Sequence, residues 1–173
     1  MSNTASSYIS YQETLYTVLD ALKPKRVIEY GTGNSTQILA LYPSVEHLTS
    51  IEHDPVYFEL IKKLNLPNTN IFLRELDAYP RAWEDMKYDL AFVDGRERAR
   101  CLDLVREVLV DKSVVILHDA EREQYKDAVN LYTYRYFTDD GHTAVLTDSV
   151  DMSILLQRIL QDKFAKPIPA SAV

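Results

Sequence analysis

Cysteine is nearly absent from this chain of 173 residues, in which Cys101 is the only one. A single cysteine excludes an internal disulfide and any metal site that is built from several cysteines. Cys101 lies in the run RARCLDLVREVL, whose apolar spacing predicts an amphipathic helix. We therefore interpret it as a buried or half-buried bystander thiol and not as a nucleophile.

Surplus positive charge and long apolar runs are also missing. The chain has 19 Lys and Arg against 26 Asp and Glu, which gives a net charge of −7. This balance argues against broad binding to nucleic-acid phosphates. No apolar run approaches the length of a membrane-spanning helix, and the opening residues MSNTASSYIS lack the basic start and apolar core of a secretory signal. We predict a cytoplasmic protein without a membrane partner.

Apolar segments of strand character alternate with segments of helical spacing along most of the chain. This order predicts a mostly parallel sheet with helices on both faces. The length suits a single domain over residues 1–173, with residues 1–7 and 165–173 flexible. Strands are predicted at 26–30, 47–52, 70–75, 88–93 and 113–117, and helices at 8–22, 35–41, 55–64, 96–109 and 121–130.

The last part of the chain carries a hairpin signal. Two strand-like runs flank Asp139-Asp140-Gly141, which predicts an antiparallel pair at the edge of the sheet. A further helix is predicted at 151–163, with an apolar stripe in the run SILLQRIL. This stripe either covers the edge of its own sheet or joins a second subunit of a homodimer, and the sequence leaves both alternatives open.

Glycine is scarce, yet two of the four glycines, Gly31 and Gly33, stand together in VIEYGTGNST directly after the first predicted strand. Glycines at this spacing allow a backbone to approach a ligand closely. The helix that follows opens with free N–H groups, which favour an anion. Glu52 ends the second predicted strand, where a carboxylate can accept hydrogen bonds from both hydroxyls of a ribose. The pattern indicates a nucleoside that bears an anionic group.

Glu29 narrows the choice of nucleoside. Thr36 stands where a dinucleotide-binding loop has its third glycine, and the carboxylate of Glu29 would repel a pyrophosphate. The same carboxylate can help to hold an ammonium group, directly or through water. An adenine nucleoside that carries an amino acid and a sulfonium meets all of these demands.

These segments together resemble the class I S-adenosylmethionine-dependent methyltransferases over about residues 8–148. VIEYGTGNST is similar to the first motif of that family, LTSIEHD to the second, LRELDAY to the third and YDLAFVDG to the fourth. The resemblance implies an α/β three-layer sandwich with a mostly parallel seven-stranded sheet. The implied strand order is 3-2-1-4-5-7-6, with an antiparallel C-terminal hairpin.

The resemblance also implies a set of cofactor contacts. Glu29, Gly31 and Gly33 would line the methionine end, Glu52 would take the ribose hydroxyls, and His53 would lie against the adenine. Ser35 and Thr36 would cap the methionine carboxylate, and Asp77 would meet the amino edge of the adenine. The full implied set is Glu29, Tyr30, Gly31, Gly33, Asn34, Ser35, Thr36, Glu52, His53, Leu76, Asp77 and Asp94.

Within the family, FVDG followed by HDA is most similar to small-molecule O-methyltransferases, many of which use a divalent cation. Asp94 and Asp119 match the two metal-binding carboxylates, but Ala120 stands where the metal enzymes have an asparagine. We therefore predict at most a weak, exchangeable Mg²⁺ or Mn²⁺ site at Asp94 and Asp119. His118 is the predicted general base, because imidazole can accept a proton near neutral pH. Strand alternation points His118 away from Asp119, unless the chain has already turned.

Asp94, His118 and Asp119 are thus the predicted catalytic residues of an enzyme that methylates a small-molecule acceptor. Two alternatives stay open. A nicotinamide-dependent oxidoreductase would also use Glu52, although the third glycine and a second domain are missing. A binding module would keep the nucleoside site without the chemistry. The arginines at positions 96, 98 and 100 are predicted to form a solvated helix face, and one that turned inward could bind an acidic substrate.

Overall fold

A computed structural model describes residues 4–160 of the chain and the side chains of residues 11–160. The strands are β1 (Arg26–Tyr30), β2 (His47–Glu52), β3 (Thr69–Leu73), β4 (Tyr88–Val93), β5 (Leu109–His118), β6 (Tyr134–Phe137) and β7 (Thr143–Thr147). The helices are α1 (Thr4–Leu22), α2 (Asn34–Leu41), α3 (Pro55–Lys62), α4 (Arg98–Val105), α5 (Lys126–Val129) and α6 (Val150–Leu160).

The seven strands form one sheet in the order β3-β2-β1-β4-β5-β7-β6. The pairs from β3 to β5 are parallel, whereas β7 runs antiparallel to both β5 and β6. Both the predicted order and the predicted terminal hairpin are confirmed. Because β1, β2, β4 and β5 are parallel, their carboxyl ends meet at one edge of the sheet, and the site is built there.

The core consists of two apolar layers, one on each face of the sheet. Alternation along β4 sends Leu90 and Phe92 to the face that is covered by α1, α2 and α6, and Ala91 and Val93 to the face that is covered by α4 and α5. Each fully buried large side chain contributes roughly 1.5–3 kcal/mol. Cys101 belongs to the second layer, and burial raises the pKa of its thiol, so the predicted burial is confirmed and the bystander role stays a prediction.

Several element bounds differ from those predicted. Helix α1 begins at Thr4, four residues before the predicted start, and α4 begins at Arg98, two residues after it. Helix α5 has only four residues and follows a 3-10 turn at Glu123–Tyr125. The predicted last turn of the tail helix and the predicted flexible end at 165–173 lie outside the described residues, as do residues 1–3.

Helix α6 lies against its own sheet. It buries Leu156 and Leu160, and the hydroxyl of Tyr136 in β6 lies 2.7 Å from the hydroxyl of Ser153. The first of the two alternatives for the tail helix is therefore observed, and a second subunit stays a prediction. Within residues 4–160, none of the helices combines the length and the apolarity that crossing a bilayer requires.

Candidate functional site

The loop after β1 lies directly against the loop after β4. Gly31 has φ +96°, and a Cβ added to it would meet Gly95 Cα at 2.6 Å. Gly31 is therefore required both for its backbone conformation and for the close approach. Gly33 differs, because a Cβ added there meets nothing within 4 Å. The open space beside Gly33 is the place where the glycine loop can receive a ligand.

We expect Gly95→Ala to be strongly destabilising and Gly33→Ala to be tolerated. A Cβ on Gly95 would lie 2.0 Å from the Tyr79 hydroxyl and 2.9 Å from the Gly31 nitrogen, so the loops must separate. Overpacking of this kind costs about 1–3 kcal/mol or more. Gly33 has φ 173°, an extended conformation that alanine also adopts. Urea unfolding of both variants tests the difference, and equal stabilities would contradict the contact between the loops.

Glu29 is fully buried behind the glycine loop. Its carboxylate accepts hydrogen bonds from Ser35 Oγ at 2.6 Å, from Thr36 Oγ1 at 2.7 Å and from Ser50 Oγ. Burial raises the pKa of Glu29 to about 7, against the opposing effect of the three hydroxyls. The hydroxyls of Ser35 and Thr36 thus donate to Glu29, and the contact of these two residues with a ligand carboxylate stays a prediction for their backbone N–H groups. The backbone N–H groups in the first turn of α2 are what the loop offers to an anion.

Glu52 lies beside this loop and is almost fully buried. Its Oε2 accepts from Thr32 N at 2.8 Å and from Thr32 Oγ1 at 2.7 Å, and its Oε1 accepts from the backbone nitrogens of His53 and Asp54. Burial disfavours the charged form, but the hydrogen bonds from Asp54, Thr32 and His53 outweigh it and lower the pKa of Glu52. Glu52 is therefore an ionised acceptor, and a ribose must displace the Thr32 hydroxyl to reach it.

Tyr79 fills the space between the ends of β1 and β4. The centroid of its ring lies 5.7 Å from that of Tyr30 and 6.1 Å from that of His53, with the His53 ring edge-on, and its hydroxyl is buried. Burial raises the pKa of this phenol well above its ordinary value. An adenine that packs on His53, as the family resemblance implies, would have to share this space with Tyr79.

Four of the predicted cofactor-contact residues have side chains that lie either in the core or on the exposed surface. Tyr30 is a core residue whose hydroxyl donates to the Pro80 carbonyl at 3.1 Å, so its side chain is not available to a ligand, and a cofactor contact through its backbone stays a prediction. Asn34 is exposed at the start of α2. Leu76 and Asp77 are exposed in the loop after β3, where Asp77 accepts from Ala78 N at 2.8 Å.

The ends of β4 and β5 hold a second polar cluster. His118 Nδ1 lies 2.9 Å from Asp94 Oδ1, and His118 Nε2 lies 4.0 Å from Asp119 Oδ1. Asp119 has φ +55°, so the chain turns directly after the strand and brings the Asp119 carboxylate back beside the imidazole. The three predicted catalytic residues are therefore together, and strand alternation does not separate His118 from Asp119.

Arg98 closes this cluster from the first turn of α4. Its guanidinium is buried and forms ion pairs with Asp94 Oδ1 at 3.1 Å and with Asp119 Oδ2 at 3.0 Å. The prediction of a solvated arginine was wrong at this position, because Glu97 has φ +49° and turns the chain before the helix begins. Arg96 and Arg100 are exposed, as predicted.

A divalent cation does not fit between Asp94 and Asp119 while Arg98 occupies that space. The three potential ligand atoms of Asp94, His118 and Asp119 lie within 4.8 Å of one another, a spacing that suits a metal ion. The guanidinium nevertheless already neutralises both carboxylates. The residues expected to bind Mg²⁺ or Mn²⁺ are therefore close together, but the Arg98 guanidinium occupies the position between their carboxylates.

Helix α1 covers the imidazole of His118. The ring of Tyr11 lies 5.0 Å from the His118 ring and 5.6 Å from the Phe92 ring, centroid to centroid. His118 Nε2 is shielded from solvent and has no hydrogen-bond partner. An acceptor that reaches Nε2 must therefore pass beside Tyr11 or displace it.

Three residues of the site were given no role from the sequence, namely Thr32, Ser50 and Tyr79, and Arg98 was named without a sign that it is the arginine that turns inward. Thr32 and Ser50 stand inside quoted motifs, next to Gly31 and two residues before Glu52, so their hydroxyls were a usable signal. Tyr79 ends the LRELDAY motif, but nothing in its spacing indicates that it turns inward. Arg98 carries no local signal, because arginines alternate on either side of it.

Comparisons with solved structures identify the fold. A methyltransferase-like protein from Silicibacter pomeroyi is 17% identical, with a TM-score of 0.62 over 88% of this chain and 94% of that chain. A putative caffeoyl-CoA O-methyltransferase from Staphylococcus aureus is 15% identical, with a TM-score of 0.64 over 85% of each chain. The N-methyltransferase NodS from Bradyrhizobium japonicum is 11% identical, with a TM-score of 0.59 over 84% of this chain and 97% of that chain.

These similarities show that the chain has the fold of the class I S-adenosylmethionine-dependent methyltransferases. Neither the family models nor the curated proteins compared with the chain give a match.

Proposed function

We propose that this chain is an S-adenosylmethionine-dependent methyltransferase that transfers a methyl group to the oxygen of a small-molecule acceptor. The observation that carries the proposal is the contact between Gly31 and Gly95. This contact places the glycine loop after β1, together with the neighbouring Glu52, directly beside the pair of Asp94 and His118. A cofactor held at the first cluster would present its reacting end to the second, which is the arrangement that a displacement in line requires.

The residues present fit this cofactor at three points. The space beside Gly33 is open, the first turn of α2 offers N–H groups to a carboxylate, and Glu52 offers an ionised acceptor to ribose hydroxyls. S-adenosylmethionine supplies an electrophilic methyl group when it is bound. Glu52 would hold the ribose hydroxyls, and the hydroxyl of Thr32, which donates to Glu52 Oε2, would have to give up that hydrogen bond.

His118 is the proposed general base. Asp94 accepts a hydrogen bond from His118 Nδ1–H, which leaves the lone pair of Nε2 free for a proton. His118 Nε2 would take the proton of the acceptor hydroxyl while the acceptor oxygen bonds to the methyl carbon and the bond from that carbon to sulfur breaks, which leaves a neutral thioether. Asp94 would balance the imidazolium that forms. Asp94 thus acts as a positioning residue for the base. Both the O–H acceptor and the role of Nε2 rest on this geometry and on the resemblance to O-methyltransferases.

Titration calorimetry tests the choice of cofactor. S-adenosylmethionine and S-adenosylhomocysteine should bind to the purified chain, and NAD should not. Tighter binding of NAD would favour the oxidoreductase alternative. Tight binding of S-adenosylmethionine without turnover over a broad panel of hydroxylated acceptors would favour the binding module. The proposed cytoplasmic location and homodimer need separate measurements of localisation and solution mass.

Glu52→Ala should weaken the binding of S-adenosylhomocysteine by about 1–3 kcal/mol, because the ribose hydroxyls lose a buried ionised acceptor. Glu84→Ala is the matched control. Glu84 is also a carboxylate with a lowered pKa that accepts several hydrogen bonds, from His47, Thr49 and Asn70, but it lies away from the glycine loop. Calorimetry on both folded variants measures the difference. Unchanged affinity of Glu52→Ala would remove Glu52 from the site.

A further inference from the structure

Asp94, His118 and Asp119 form a set of donors that suits a divalent cation. Two carboxylates and an imidazole lie within 4.8 Å of one another, and oxygen and nitrogen donors of this kind suit Mn²⁺. His118 is 8% exposed, and its Nε2 has no partner. Two neighbouring carboxylates also repel each other unless a positive charge lies near both. A cation beside both carboxylates would therefore stabilise the cluster.

The Arg98 guanidinium supplies that charge. It is held by a ring of carbonyl and carboxylate acceptors, which we call the socket. Its Nε donates to the Gly95 carbonyl at 2.9 Å, and its Nη2 donates to the Asp94 carbonyl at 2.9 Å. Its Nη1 donates to the His118 carbonyl and to Asp119 Oδ2. Four hydrogen bonds and the further ion pair to Asp94 thus use the whole fork of the side chain.

The socket is specific for a guanidinium. A lysine has a single point of charge and cannot serve both carboxylates and three carbonyls at once. Arg122 also contacts Asp119 Oδ2, at 2.7 Å, but its side chain is half exposed, and within residues 11–160 Asp94 forms its ion pairs with Arg98 and His118 instead. Arg98 is therefore the cation that bridges the ends of β4 and β5.

We infer that Arg98 is a built-in cation that takes the place of a divalent metal, and that removing its charge converts Asp94, His118 and Asp119 into a metal site. In the unaltered protein the guanidinium neutralises the two carboxylates and fixes Asp94 under the imidazole. The inference rests on the proposed function only for its catalytic consequence, which is that methyl transfer proceeds in the presence of a chelator.

The test is the binding of Mn²⁺ alone, without cofactor or acceptor. Arg98→Met keeps much of the side-chain volume and removes the charge, and Arg100→Met is the matched control on the exposed face of the same helix. Paramagnetic resonance of free Mn²⁺ measures the binding, and thermal unfolding with and without Mn²⁺ measures the stabilisation. We expect Arg98→Met to bind one Mn²⁺ at least about tenfold more tightly than the unaltered protein and Arg100→Met.

The thermal midpoint of Arg98→Met should fall without metal and rise again with Mn²⁺, because the cation restores charge balance. Adding Asp119→Asn to Arg98→Met should abolish both effects. If Arg98→Met is unfolded without metal, Mn²⁺ should restore its fold.

Three results would overturn the inference. The first is that the unaltered protein binds one Mn²⁺ and that Asp94→Asn abolishes this binding. The second is that Arg98→Met folds but binds no more Mn²⁺ than the unaltered protein. The third is that Arg98→Met stays unfolded at millimolar Mn²⁺. Each would leave the proposed function standing, because cofactor binding is measured in a separate experiment.

Discussion

His118→Asn is expected to reduce methyl transfer by about 10²–10⁴-fold, the usual contribution of a positioned general base. Asparagine can still donate to Asp94, but it has no ring nitrogen that accepts a proton. The affinity for S-adenosylhomocysteine should change little, because His118 is proposed to act on the acceptor and not on the cofactor. Initial rates with saturating cofactor, on an acceptor found by screening hydroxylated compounds, measure the loss.

His142→Asn is the matched control for this loss. His142 also pairs with a carboxylate, at 3.1 Å between its Nδ1 and Glu121 Oε2, but it lies outside the cluster of Asp94 and Asp119. Its substitution should leave the rate unchanged. Asp94→Asn should give an intermediate loss, because the imidazole remains but loses its orienting charge. Full activity of a folded His118→Asn variant would contradict the proposed role of His118 as general base.

The free energy of unfolding of Glu29→Gln is expected to increase relative to that of the unaltered protein as the pH rises. The pKa of Glu29 is raised from 4.5 to about 7 in the folded chain, so the folded state holds a proton that the unfolded state has lost between these values. Stability linked to Glu29 is fully present below about pH 4.5 and is lost as the pH rises through about 7. The full loss is about 3 kcal/mol, and glutamine, which cannot ionise, does not suffer it.

Urea unfolding at a series of pH values from about 5 to 8 measures this difference, which spans the window between the two pKa values. Glu52→Gln is the control of opposite sign. The pKa of Glu52 is lowered, so its contribution is present at neutral pH and is lost as the pH falls. Equal pH slopes for Glu29→Gln and the unaltered protein would show that Glu29 is not protonated in the folded chain.

The sheet could be predicted well because its signals are local. Short apolar runs rich in Val, Ile and Leu mark β1, β4 and β5, and the turn at Asp139-Asp140-Gly141 marks the hairpin. The place of Glu52 beside the glycine loop also followed from spacing alone, since both stand at the ends of adjacent parallel strands.

The arrangement of polar side chains could be predicted only in part. Arg98 reaches the cluster because the chain turns at Glu97 and Asp119, both of which have positive φ. Neither residue is a glycine, so the sequence does not indicate these turns. A helix of eight residues is also too short for its periodicity to fix which arginine faces the sheet. The hydrogen bond from Thr32 to Glu52 depends on the distance between two loops, which no single stretch of sequence contains.

Gly31 and Gly95 touch through their backbones, so the loop after β1 cannot move toward the sheet without moving the loop after β4. Gly95 directly follows Asp94, which holds the imidazole of His118. A cofactor that shifts the glycine loop on binding would therefore shift the proton-accepting group as well. Such coupling is reciprocal in free energy, so the acceptor would change the affinity for the cofactor by the same factor. Binding of the cofactor and binding of the acceptor would then be coupled through one contact between two residues that have no side chain.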